Sequence, residues 1–133
     1  MKQKNQEMHL YEYATIRFLP LVEREEFINI GVILFSKQTG YIRIKYQVNE
    51  ERIKNFSTIE KLDLSKIYSM LHAFELISQG NRKGGKIAQL SVPERFRWLT
   101  SVRSTTIQTS RPHPGFSENL EKTLDILFSE LVL

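Results

Sequence analysis

The stretch from Glu26 to Phe35 is the most apolar run of the chain, and only Asn29 and Gly31 interrupt it. It is far shorter than the roughly 20 residues a membrane-spanning helix needs. Its β-branched residues Ile28, Ile30, Val32 and Ile33 disfavour a helix, so the run reads as a strand. Strict alternation places Phe27, Asn29, Gly31, Ile33 and Phe35 on one face and Ile28, Ile30, Val32 and Leu34 on the other. Both faces are largely apolar, so the strand must be covered on both sides and lie deep in a sheet.

Two patterned segments flank this run. Leu10 to Leu19 alternates, with Leu10, Ala14, Ile16 and Phe18 on one face and Tyr11, Tyr13, Thr15 and Arg17 on the other; Pro20 ends it. Tyr41 to Tyr46 alternates Ile42, Ile44 and Tyr46 with Arg43 and Lys45, the charges of an edge strand. Ser36 to Gly40 supplies the turn that makes the second and third strands a hairpin. Beyond Asn49 the period becomes helical. A short helix is expected over 50–55 with Asn49 as N-cap. A longer one is expected over 64–79, with Ile67, Met70, Leu71, Phe74 and Ile77 as its stripe and Gly80 at its end. Ser91 and Glu94 have capping-box spacing, predicting a helix from Val92 to Val102. Arg103 to Ser110 reads as a short late strand, and Arg111 to Gly115 as a rigid turn. Ser117 is expected to cap a last helix striped by Leu120, Leu124, Leu127, Phe128 and Leu131.

The fold class expected is therefore α+β: a small, mostly antiparallel sheet of three N-terminal strands plus one late strand, packed with helices. Residues 1–9 are expected to be frayed and 10–133 to form a single domain. The chain has no cysteine, which removes disulfides, thiolate nucleophiles and cysteine-ligated metals and suits a cytoplasmic location. A net charge of +4 permits an acidic partner without requiring one.

Few residues point to chemistry. Gly80, Gly85 and Lys86 match the spacing of a phosphate loop, but Ile87 stands where Ser or Thr should hold magnesium, and the loop follows a helix rather than a strand. His9, His72 and His113 have no metal-ligand spacing, so no metal and no cofactor are expected. Glu26 opens the apolar strand, where an ion pair with Arg17 is plausible. The most suggestive group is Arg103, Ser104 and Gln108, polar residues on one short late strand beside an apolar sheet, followed by Ser110, Arg111 and His113. If that strand neighbours the first, Arg17 joins it, and Asn29 lines the same floor, with Gly31 leaving room for a ligand or another backbone. Guanidinium groups suit phosphate or carboxylate. The competing reading is a polar edge strand in solvent.

These residues also carry a resemblance. Tyr11-x-Tyr13, Arg17, Pro20, Glu26-Phe27, Asn29 and Gly31-Val32-x-Leu34 form one block. Arg95, Trp98-Leu99-Thr100, Arg103-Ser104-Thr105, Ile107-Gln108, Ser110 and Pro114-Gly115 form a second, and Leu127-Phe128-x-x-Leu131-Val132 closes the chain. In both blocks the sequence resembles the bacterial and phage domain-of-unknown-function family DUF3037. The resemblance implies a small bacterial protein without an assigned activity, encoded beside HipA-like kinases. Two functions are then expected. The first is a non-catalytic interaction or regulatory module, with a HipA-like kinase as partner. The alternative is an enzyme or binder of a phosphate-bearing or nucleic-acid ligand, using Arg17, Arg103 and Gln108 with Glu26 and His113 nearby. No membrane association is expected.

Overall fold

In the computed structural model, residues 7–57 and 63–133 are described. The chain order is β1 (His9–Phe18), β2 (Ile28–Ser36), β3 (Tyr41–Tyr46), α1 (Glu50–Phe56), α2 (Leu64–Gln79), α3 (Val92–Leu99), β4 (Ile107–Thr109), β5 (His113–Ser117) and α4 (Leu120–Leu131). The five strands form one antiparallel sheet in the order β3-β2-β1-β4, with β5 also pairing with β1. The α+β class and the N-terminal hairpin are as the sequence predicts. Of the stretch expected to be frayed, residues 1–6 lie outside the described residues, and His9 already pairs with Ser117.

β2 is sandwiched. Ile28, Ile30, Ile33 and Phe35 belong to a core built with α1, α2 and α3, while Val32 and Leu34 belong to a second core under α4. This is not strict alternation. Ile16 faces Gly31 but Arg17 faces Asn29, so Ile30 is an extra residue and β2 bulges there. The bulge exchanges the faces of everything before it. Ile28 and Ile30 turn to the same side as Ile33, and Asn29 turns to the α4 side, a correction to its expected grouping with Ile33 and Phe35. Gly31 sits where the strands crowd. A Cβ there would lie 2.9 Å from the Tyr46 Cβ and 3.0 Å from the Lys45 carbonyl oxygen, so another backbone, not a ligand, occupies the space.

The late segment holds two strands rather than one. β4 is only Ile107–Thr109, and the expected turn at Arg111–Gly115 gives way to β5 from His113. Proline is tolerated because β5 pairs on one side only, so Pro114 lies on an edge strand. Gly115 faces Tyr11, and any Cβ at Gly115 would collide with the Tyr11 ring. The aromatic ring covers the glycine, an arrangement that stabilises glycine in sheets.

The helix ends follow local chemistry. Asn49 Oδ1 accepts from the Arg52 N–H at 3.0 Å and caps α1, as expected. The hydroxyl of Ser91 caps α3 and donates to the Glu94 carboxylate at 2.7 Å, so the carboxylate bonds the hydroxyl rather than reaching back to the Ser91 N–H. α3 stops at Leu99, three residues before the expected end. The cap of α4 is Asn119, whose Oδ1 accepts from Lys122 N–H; Ser117 instead accepts from the Asn119 N–H. Arg43 and Lys45 on edge strand β3 reach α4, pairing with Glu121 at 3.7 Å and Asp125 at 2.8 Å.

Candidate functional site

Arg17 stands at the centre of a cross-strand row. Its neighbour on β2 is Asn29 and its neighbour on β4 is Gln108. The three therefore lie side by side on the sheet, as the sequence led us to expect for the neighbouring strands. The Arg17 guanidinium lies 4.0 Å above the centre of the Phe27 ring. Its Nε is buried without a hydrogen-bond partner, and burial pushes its basicity below the usual arginine range. Glu26 does not neutralise it: that carboxylate pairs with Arg24, both in solvent. The turn at Val22–Arg24 brings Arg24 to the carboxylate first.

The two amides of the row are partly committed. Asn29 Nδ2 donates to the Leu131 carbonyl at 3.1 Å, holding the last turn of α4, while its Oδ1 is buried without a partner. Gln108 Nε2 donates to the Thr105 carbonyl at 2.9 Å, within its own loop.

The remaining candidates go elsewhere. Because α3 ends at Leu99, the chain turns back and Arg103 folds onto the helix end. Its Nη1 donates to Leu99 O and its Nη2 to Trp98 O, both at 2.7 Å. The same guanidinium lies 4.6 Å from the Trp98 ring centre and 5.0 Å from that of Phe74, and burial lowers its basicity. Phe74 belongs to the core on the α2 and α3 side, so Arg103 and Arg17 occupy opposite faces of the sheet. The convergence expected of Arg17 and Arg103 is corrected accordingly. Ser104 and Arg111 are exposed. Ser110 is buried and structural. It bridges the gap between β4 and β5 on β1, its hydroxyl accepting from Thr15 N–H at 2.9 Å and its own N–H donating to Thr15 O. His113 lies against Tyr13, with ring centres 5.3 Å apart.

A pattern emerges that single-residue reading missed. Arg103 closes α3, and Arg95 Nη1 closes α2 by donating to Ile77 O and Ser78 O at 3.0 Å each. Asn29 and Arg52 close α4, with Arg52 Nη1 on Val132 O at 2.6 Å. Donors at a helix C-terminus satisfy its orphan carbonyls, and cations there complement the dipole. Arg52 and Arg95 were not among the expected site residues, although Arg95 opens the second motif block; their roles come from tertiary contact, each sitting on a helix beside another helix's end.

Among the described residues, no group of three or more His, Asp or Glu side chains is placed to hold a metal, and no helix is long and apolar enough to cross a membrane. A concavity of about 580 Å³ lies between the β3 edge, α3 and the start of α4; two of its charged lining residues, Arg43 and Glu121, pair with each other. A second groove, about 330 Å³, runs between Leu10, Phe35, Pro93, Arg97 and Pro114.

These features define an α+β protein with three helices on one face of an antiparallel sheet and one on the other, whose polar motif residues chiefly close helices and mend strand breaks. The family model described as a protein of unknown function (DUF3037) matches residues 13–132, and the chain belongs to that family. No curated protein and no solved structure matches it.

Proposed function

We propose that the chain is a non-catalytic interaction module. The observation that carries this reading is the cross-strand pair Leu10 and Phe116, which are 43% and 66% exposed on the outer edge of the sheet. Leu10 also lines the groove that Phe35, Pro93 and Pro114 line. Large apolar side chains held rigidly in register on a sheet edge are what a partner buries. The partner of choice is a HipA-like kinase, the neighbour that the family resemblance suggests. Co-expression with that kinase and affinity purification test it. A stoichiometric complex lost on Phe116→Glu supports the reading. Purification of the kinase without this chain, with the wild type as well as the variant, overturns it.

A second reading is kept because one observation favours it. Arg17 has no acidic partner among the described residues, although it is half-buried between Asn29 and Gln108. An uncompensated guanidinium favours an anionic ligand, phosphate-bearing or nucleic acid. Arg111 lies in the connection between β4 and β5, in solvent. Binding of a short single-stranded oligonucleotide that falls steeply with salt and is lost on Arg17→Gln supports this second function; salt-independent binding, or binding that Arg17→Gln leaves intact, counts against it.

A further inference from the structure

The outer edge of β5 carries backbone groups that the sheet does not use. In an antiparallel ladder the N–H and C=O of one residue point to the same side, and successive residues alternate sides. On β1, Thr15 turns both groups towards the late strands: its N–H donates to the Ser110 hydroxyl and its C=O accepts from the Ser110 N–H. Leu10 turns the other way. Its N–H donates to Gln38 Oε1 and its C=O accepts from the Ser36 hydroxyl, both at 2.9 Å. Leu10 therefore makes no ladder bond to Phe116, its neighbour across β5. The N–H and C=O of Phe116 consequently point away from β1, as does the C=O of Pro114 two residues earlier. β5 pairs with β1 alone, so among the described residues no strand meets these three groups.

Backbone, length and charge together say what fits there. One N–H and two C=O groups in a row along a strand edge match the backbone of another extended segment. A helix spends those groups internally. The edge is short: five residues at about 3.3 Å each span about 17 Å. Backbone pairing over that length buries on the order of 300 Å², far below the about 1,200 Å² at the lower end of stable interfaces between folded proteins. A short peptide segment fits this edge better than a second copy of the chain does. Phe116, 66% exposed, shares its face with Leu10 and Pro114, and both of those line the groove in front of α3. Lys37 and Arg97 line the same groove in solvent, against the single carboxylate of Glu12. Among the described residues neither cation has an ion-pair partner, so the groove is left with positive charge.

We propose that β5 takes an added strand: a short extended peptide segment of a partner protein, with an apolar residue opposite Phe116 and an acidic residue two positions away, opposite Pro114 and beside Arg97. Side chains two apart share a face, so both project to the α3 side. Pro114 withholds an N–H, which limits the edge to three groups and blunts it against indiscriminate pairing. This deepens the first reading by naming how the partner is held, and it rests on that reading's premise that this edge is a partner surface.

The probe is a library of random ten-residue peptides displayed on phage and selected on the full chain. Enriched peptides are synthesised and their affinities measured by fluorescence anisotropy. An apolar and an acidic residue two positions apart are expected in the enriched set; no enrichment, or enrichment without that spacing, overturns the inference. N-methylation of the bound peptide should abolish binding at alternate residues and spare the ones between, whereas uniform tolerance refutes strand addition. The Phe116 N–H should exchange freely with solvent in the isolated chain and at least about tenfold more slowly in the complex. Phe116→Ala and Arg97→Glu should each weaken binding at least about tenfold, while near-ultraviolet circular dichroism shows both variants folded. A peptide with lysine in place of its acidic residue should bind Arg97→Glu better than it binds the wild type. If the isolated chain sediments as a dimer with the Phe116 N–H already protected, the occupant is a second copy and the inference fails. The kinase complex separates the two claims. If it forms and is lost on Phe116→Glu while the Phe116 N–H still exchanges freely within it, the module reading stands and strand addition fails. If peptides bind in the alternating pattern but no kinase co-purifies, the inference stands and the kinase assignment fails.

Discussion

Replacing Arg103 by alanine distinguishes a clamp from a site. The substitution removes two charge-assisted hydrogen bonds to the end of α3, one to Leu99 O in a half-buried setting and one to Trp98 O in solvent. The first is worth about 1.5 kcal/mol, and the second about 0.5 once solvent screening is allowed for. The contacts with the Phe74 and Trp98 rings add about 0.5 kcal/mol each. The expected loss is about 3 kcal/mol, a large share of the stability of a chain this size. With a urea dependence of about 2 kcal/mol per molar, the unfolding midpoint should fall by about 1.5 M at unchanged slope. Arg103→Lys keeps a cation near the rings but loses the fork that reaches two carbonyls, so about half the loss should return. Partner and ligand binding, measured on the folded fraction, should be unaffected by either change. A midpoint that barely moves, together with lost binding, would refute the clamp and return Arg103 to the site.

Three further outcomes follow from the same geometry. Ser110→Ala leaves the buried Thr15 N–H without its acceptor and should cost about 1–3 kcal/mol, read by urea unfolding, with no effect on binding. Gly115→Ala should be destabilising on its own because its methyl meets Tyr11, and Tyr11→Ala in the same chain should recover part of the loss, which a double-mutant cycle measures. Tyr41 contributes to the alkaline limb: burial first, and the neighbouring Glu121 carboxylate second, raise its phenol above the usual tyrosine range. The folded state therefore holds that proton after the unfolded chain has lost it, and stability should be full below about pH 10 and decline above it. Tyr41→Phe should flatten that decline in urea midpoints taken between about pH 9 and pH 11.

The sheet was legible where period-two alternation is strong, and it failed at two places for definite reasons. Alternation cannot register the extra residue at Ile30, because Ile28, Asn29 and Ile30 obey the same pattern whether or not the strand bulges; only pairing with β1 reveals it. β5 was hidden because Pro114 and Gly115 are turn-formers by local preference. Their tolerance in the strand comes from tertiary context, an unpaired edge for the proline and the Tyr11 ring for the glycine. The site was legible in part. The row of Arg17, Asn29 and Gln108 follows from strand adjacency. Arg103 was misplaced because the sequence carries α3 on to Val102, whereas the helix stops at Leu99 and the arginine turns back to close it. Arg52 escaped notice because its contact with the end of α4 joins segments 80 residues apart and leaves no local pattern.

The strand order also bears on how the chain is made. One edge of β1 is closed only by Ser110, 95 residues after Thr15, and by β4 and β5 around it. Until those arrive, the three N-terminal strands form a meander whose β1 side is an open edge, with Ile16 and Phe18 beside it. Such an edge recruits other nascent chains. A closure that depends on so distant a segment slows folding in proportion to the chain that must be gathered in. Translation beyond Ser117 therefore sets the earliest moment at which the sheet is sealed, and a message truncated before that point would yield an unsealed, aggregation-prone sheet rather than a smaller working protein.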